Sequence, residues 1–182
     1  MSLLGPEHER FRRRIRDVIE KRLTPHADEW ERAQSFPKSV FLMLGEEGLL
    51  GLCHDPAVGG QGLDFGYTVV LAEELPRSRM PGLSLSILAQ TNIALPVLAR
   101  LASPYQREAF LGPAIRGEQI GAFAVTEPSG GSDIVRAVQC TAVEDGDDWV
   151  VSGEKIYITN GPIADFVVTL VRTRSEPSAN SL

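Results

Sequence analysis

Phe11, Ile15, Val18, Ile19 and Leu23 recur at spacings of three and four, which predicts an amphipathic helix with one apolar stripe. Thr24-Pro25 predicts a helix restart, with threonine as the cap and proline in the first turn. Pro37 opens a second pattern carried by Val40, Phe41, Met43 and Leu44, with Gly48 as its terminator. A glycine-rich loop from Asp55 to Gly66 follows, and Asp64 is placed to cap a helix with Tyr67, Val70, Leu71 and Leu75 on one side. Pro76 and Pro81 interrupt. The stretch Leu83 to Leu101 is apolar on most faces, which predicts a central, buried helix; Gln90, Asn92, Pro96 and Arg100 within it argue against a membrane span. Ser103-Pro104-Tyr105-Gln106 combines a capping box with proline in the first turn, Phe110, Leu111 and Ile115 form its apolar face, and Gly117 ends it.

The texture then changes to short apolar or β-branched runs bounded by glycine and proline. Ile120 to Thr126, Ala137 to Val143, Trp149 to Val151, Lys155 to Thr159 and Phe166 to Arg172 predict about five strands, with a hairpin turn at Glu144 to Asp148. The fold class is therefore α+β: an all-helical unit over 1–117, an incomplete antiparallel, barrel-like β unit over 118–172, and a disordered Ser/Pro/Asn-rich tail over 173–182. So small a sheet leaves unpaired edges, which suggests a chain that stops early.

Composition narrows the function. With 43% hydrophobic residues the chain can bury a core, and a net charge of -6 with a pI near 5.1 argues against general nucleic-acid binding. Arg10, Arg12, Arg13, Arg14 and Arg16 are interleaved with or flanked by Glu7, Glu9, Asp17 and Glu20 and read as a solvated helix face. Cys53 and Cys140 are far apart, suggesting neither disulfide nor metal site; a reducing, cytoplasmic setting fits, and no secretory signal is visible. His8, His26 and His54 are scattered and read as surface or capping residues. No GxSxG elbow, HExxH or Walker A sequence occurs, and Gly60-Gln61-Gly62 misses the dinucleotide fingerprint because Phe65 takes the third glycine position.

Two segments remain. In Thr126-Glu127-Pro128-Ser129-Gly130-Gly131-Ser132-Asp133 a strand runs into a turn of adjacent glycines and hydroxyls, where bare amides can approach a phosphate or a polar ring edge. In Gly153-Glu154-Lys155-Ile156-Tyr157-Ile158-Thr159-Asn160-Gly161, strand alternation would put Tyr157 and Thr159 on one face, an aromatic wall beside a hydroxyl. Taken alone, each also reads as ordinary structure: a loop, and a half-buried strand ending in an Asn-Gly turn.

In combination and order the two segments resemble the acyl-CoA dehydrogenase family, whose pattern is Thr-Glu-Pro-x-x-Gly-Ser-Asp, a strand pair, then Gly-x-Lys-x-(Trp)-Ile-Thr-Asn-Gly. Pro56 with Gly59-Gly60-Gln61-Gly62, Ala72-Glu73-Glu74-Leu75 and Phe110-Leu111-Gly112-Pro113 fit the same family, so the resemblance spans nearly the whole chain up to the tail. It implies FAD as cofactor, with Phe123, Ala124, Val125, Thr126, Gly131 and Ser132 lining the flavin and pyrophosphate, and Ser132 also approaching the substrate. It implies that Tyr157 and Ile158 lie beside the flavin and that Thr159 hydrogen-bonds near its N5. It further implies α,β-desaturation of an acyl thioester on coenzyme A or a carrier protein, an electron-transfer flavoprotein as acceptor, and a homo- or hetero-oligomer with no membrane or nucleic-acid partner. The family's base is a glutamate of a C-terminal domain, so no catalytic residue and no metal site is expected in this chain. Tyr157 departs from the usual tryptophan and Gly130 from the usual alanine. The chain then reads as a fragment or one part of a split enzyme, inactive alone. The alternative is a non-catalytic interaction module or truncated remnant that docks on a full-length homologue.

Overall fold

The computed structural model describes residues 4–173. Helix α1 (Pro6–Arg22) carries the expected stripe, with Phe11, Ile15 and Ile19 buried. A 3-10 turn, Thr24–His26, leads into α2 (Ala27–Ala33). Thr24 does not cap it; its hydroxyl donates to the carbonyls of Ile19 and Arg77, both at 3.2 Å, and so ties the turn to a distant loop. Helix α3 (Ser39–Glu46) buries Val40, Phe41 and Leu44 and is followed by Gly48 at φ +70. Asp64 caps α4 (Phe65–Glu74) by accepting from the Gly66 amide at 2.7 Å.

The next helix is one 21-residue rod, Pro81–Leu101, made of α5 (Pro81–Ala89), a π turn at Gln90–Ala94 and α6 (Leu95–Leu101). It is apolar and long enough to cross a membrane, yet Leu83, Ile87, Gln90, Ala94 and Leu95 are buried in the core. Then α7 (Pro104–Gln106), a second π turn at Arg107–Leu111 and α8 (Gly112–Ile115) follow, opened by the Ser103/Gln106 capping box. Each π turn contains the carbonyl four residues before a proline: Asn92 for Pro96, Ala109 for Pro113. Proline offers no N–H to that carbonyl and its ring would clash with it, so local widening relieves both problems.

Packing brings the end of α8 against α3 backbone to backbone. A Cβ on Gly117 (φ +76) would lie 1.9 Å from the Phe41 carbonyl oxygen, and one on Gly45 2.0 Å from that of Arg116. One core cluster joins α1, α3, α4 and α5 through Ile15, Ile19, Phe41, Leu44, Leu71 and Leu83. A second is built from Leu95, Leu98, Leu111 and Ile115, and Phe166 and Val168 pack against it.

The arginine-rich face of α1 is not simply solvated. Glu74, buried on α4, accepts from Arg12 at 3.0 Å and from both Nε and an NH2 group of Arg16 at 2.8 Å, and Arg77 Nε lies 2.7 Å away. These contacts outweigh burial and hold the Glu74 carboxyl down to about 2; the bonds from Arg16 lower it most, opposed by burial. His8 is also buried and not on the surface, and of its two readings, surface or capping, it takes the capping one at the start of α1. Its Nδ1 accepts from the Gly5 amide at 2.9 Å, which leaves Nε2–H to donate to Asp64, also at 2.9 Å.

The β half holds four strands among the described residues: β1 (Gly121–Ala124), β2 (Thr141–Asp145), β3 (Asp148–Ser152) and β4 (Phe166–Thr169). The helix-then-sheet order stands, with one correction of pairing. Among the four strands, antiparallel pairing is confined to the β2–β3 hairpin, whose turn has Gly146 at φ +64, whereas β1 and β4 pair in parallel with Gly121 opposite Phe166. The reason is the long excursion between them, which returns the chain to the same end of the sheet. That excursion also contains a short helix α9 (Ile134–Ala137) where the start of a strand was expected. The tail expectation lies, apart from Thr173, outside the described residues.

Candidate functional site

The first segment leaves β1 and folds into a tight turn in which Glu127 and Gly130 exchange backbone hydrogen bonds at 2.9 and 3.1 Å around Pro128-Ser129. Gly130 takes φ +146, a conformation that glycine alone adopts easily. Gly131 sits close to Thr126, since a Cβ on it would lie 3.0 Å from the threonine hydroxyl. Ser129 donates to the Ala137 carbonyl at 2.7 Å and so anchors the far side of the loop.

The second segment is not the predicted strand. Gly153 lies at φ +143, Tyr157 at φ +56 and Asn160 at φ +68, so Lys155 to Thr159 form an irregular loop. Strand alternation therefore does not govern where Tyr157 and Thr159 point; Tyr157 is 90% exposed and Thr159 half-buried. The loop is instead shaped by anchors at its two ends. At one end the Ile156 amide donates to the Thr126 carbonyl at 2.9 Å, and Lys155 Nζ donates to the Val125 carbonyl at 3.1 Å and to Glu127 at 2.7 Å. At the other, the buried Asn160 amide donates to the carbonyls of Ser86 (3.0 Å) and Gly121 (3.1 Å) and accepts from the Ser86 hydroxyl. Gln90, in the π turn, adds a parallel tie: it accepts from the Gly121 amide at 2.9 Å and donates to the Ala114 carbonyl at 3.1 Å.

Glu127 is 3% exposed and accepts from the amides of Gln139 (2.6 Å) and Cys140 (3.0 Å) as well as from Lys155. Burial works against its ionisation, but Lys155 and the Cys140 and Gln139 amides prevail and hold the carboxyl down to about 2. A carboxylate so committed is unsuited to taking a proton from carbon near neutrality. None of Gln90, Lys155 and Asn160 was singled out from the sequence. Lys155 and Asn160 lay within the quoted motif, and the remaining signal, a polar residue in an apolar helix, was visible only at Gln90.

The structure thus brings the two segments together. Ser132 and Gly131 are exposed, Phe123, Val125, Thr126 and Ile158 are half-buried, and Ala124 is buried so that it offers backbone only. Among the described residues the hydroxyls of Thr126, Ser132 and Thr159 and the amides of Gly131 and Ser132 have no protein hydrogen-bond partner. An open turn of free N–H and O–H groups fits a ligand that carries phosphate or another polar acceptor. A cavity of about 590 Å³ lies elsewhere, between α4 and the α5–α6 rod; Cys53, Phe65, Thr68, Thr91 and Asn92 line it and no candidate flavin residue does. Among the described residues no group of three His, Cys, Asp or Glu side chains is placed to hold a metal.

Comparison with known proteins agrees with this architecture. The family described as acyl-CoA dehydrogenase, N-terminal domain, matches residues 5–118, and acyl-CoA dehydrogenase, middle domain, matches residues 122–181. The chain belongs to the acyl-CoA dehydrogenase family. It is 34% identical over 174 residues to the mitochondrial long-chain specific acyl-CoA dehydrogenase of Mus musculus, covering 96% of this chain and 40% of that protein. The crystal structure of an acyl-CoA dehydrogenase from Geobacillus kaustophilus superposes with a TM-score of 0.88 at 37% identity, over 98% of this chain and 46% of that one. A glutaryl-CoA dehydrogenase from Mycobacterium smegmatis, solved in complex with FADH2, superposes with a TM-score of 0.85 at 26% identity, over 93% and 43% of the two chains. The chain therefore spans less than half the length of the relatives it matches.

Proposed function

We propose that this chain supplies the helical domain and part of the flavin-binding β domain of an FAD-dependent enzyme that desaturates an acyl thioester between its α and β carbons. The observation that carries this reading is the joining of the two family segments by Glu127, Lys155 and the Ile156–Thr126 hydrogen bond, with free hydroxyls left at Thr126, Ser132 and Thr159. When bound, FAD would supply the hydride acceptor. The chain's own residues bind and orient. The Gly131 and Ser132 amides and the Ser132 hydroxyl would donate to pyrophosphate oxygens, and Thr126 and Thr159 would hydrogen-bond to polar atoms of the flavin ring. Phe123, Val125, Ile158 and the Tyr157 ring supply the flanking surface. Ser132 also approaches the thioester, carried by coenzyme A or by an acyl carrier protein. An electron-transfer flavoprotein is the proposed acceptor, an oligomer the proposed assembly, and a reducing compartment such as the cytoplasm the proposed setting, in keeping with two free cysteines.

The test is an absorbance spectrum of the protein from about 300 to 550 nm after incubation with FAD and desalting. Flavin bands retained by the wild type and lost in the Ser132→Ala/Thr159→Val double variant support the assignment. Flavin that the wild type fails to retain, or that both proteins retain equally, overturns it.

A further inference from the structure

We infer that the buried Glu127–Lys155 pair is a positioning device that sets the distance between the segment carrying Thr126 and the loop carrying Tyr157 and Thr159. The inference deepens the flavin-site reading and rests on it only for what the spacing serves.

One carboxylate gathers three passes of the chain. Glu127 belongs to the turn after β1, Gln139 and Cys140 precede β2, and Lys155 opens the loop after β3. The Lys155 ammonium returns the tie by donating to the Val125 carbonyl, two residues before Glu127. Side-chain exposure is 10% for the lysine and 3% for the glutamate, so solvent screens the pair little. The loop it holds has little regular hydrogen bonding of its own: its Ile156 amide reaches Thr126, and Tyr157 sits in the left-handed region. With Lys155 removed, the Ile156–Thr126 hydrogen bond is, among the described residues, the remaining hydrogen bond between the turn and the start of the loop. Because the pair sits one residue beyond Thr126 and four before Thr159, small shifts in it move both hydroxyls.

The test uses the full chain and two independent readouts in Lys155→Met and in Glu127→Gln, the latter keeping shape if the former fails to fold. The first readout needs no flavin. Amide hydrogen exchange at Ile156 should accelerate at least tenfold while the α1 and α5 amides keep their protection. Glu74→Gln, which removes a comparably buried carboxylate from the helical half, should leave Ile156 unaffected. Unchanged exchange at Ile156 in both pair variants overturns the inference. The second readout is FAD affinity and the position of the bound-flavin absorption bands, expected to weaken at least tenfold and to shift. Affinity lost without any band shift points to a general loss of structure and also overturns it. Wild-type protein that binds no FAD, together with accelerated Ile156 exchange in the variants, supports the positioning role and removes only the flavin reading.

Discussion

Replacing Glu74 by glutamine isolates an ion-pair cluster while keeping side-chain volume. The carboxylate is 3% exposed and is met by Arg12, Arg16 and Arg77 within 3.0 Å. Its pKa falls from 4.5 to about 2, which corresponds to about 3 kcal/mol of linked stability. Arg16 and Arg77 are themselves 37% and 46% exposed, so solvent screening reduces the working figure to about 2 kcal/mol. The sign follows from a depressed folded-state pKa: the stabilisation is fully present above pH 4.5 and is lost as pH falls toward about 2. Urea unfolding of wild type and Glu74→Gln at pH 7 should therefore differ by about 2 kcal/mol, and the gap should narrow steadily between pH 4.5 and pH 3. Other titrating groups, Glu127 among them, are common to both proteins and cancel in the difference. A gap that stays constant across this range would refute the ionic account and leave packing as the cause.

Four further substitutions have expected outcomes. Gly117→Ala forces a Cβ against the Phe41 carbonyl in a left-handed backbone, and should cost about 3 kcal/mol or more; an unaltered thermal midpoint would refute the close approach of α3 and α8. Asn160→Ala strands the carbonyls of Ser86 and Gly121 and should destabilise by about 2–3 kcal/mol in denaturant titration, whereas a loss under about 0.5 would show that the staple is unimportant. Ser132→Ala alone should weaken FAD binding by about 1 kcal/mol, roughly fivefold, in a fluorescence titration, and Thr159→Val should move the flavin bands or reduction potential; equal affinity or unmoved bands would count against the respective contact.

The helical half was legible because its signals are local. The stripe Phe11, Ile15, Ile19 and the caps at Asp64 and Ser103 depend on residues two to four apart, and all of them are found. What escaped depends on partners far along the chain. Arg12 and Arg16 look solvated until Glu74, about 60 residues on, folds against them. Apolar alternation suggested a strand at Lys155 to Thr159, but the long-range ties at Glu127 and Asn160 hold a loop with Tyr157 in the left-handed region there. The candidate site was legible as two motifs; that a lysine and an asparagine inside one of them would be its fasteners was not.

The parallel pairing of β1 with β4 bears on how the molecule comes apart. Joining Gly121 to Phe166 closes a loop of about 45 residues, and both family segments lie within it. Closing so long a loop carries an entropic cost that the helices, built from contacts near in sequence, largely avoid. The β half is therefore set to assemble after the helices and to open before them. A destabilised variant would then spend part of its time as an intact helical body with the two family segments unjoined, well before its circular dichroism reported any unfolding.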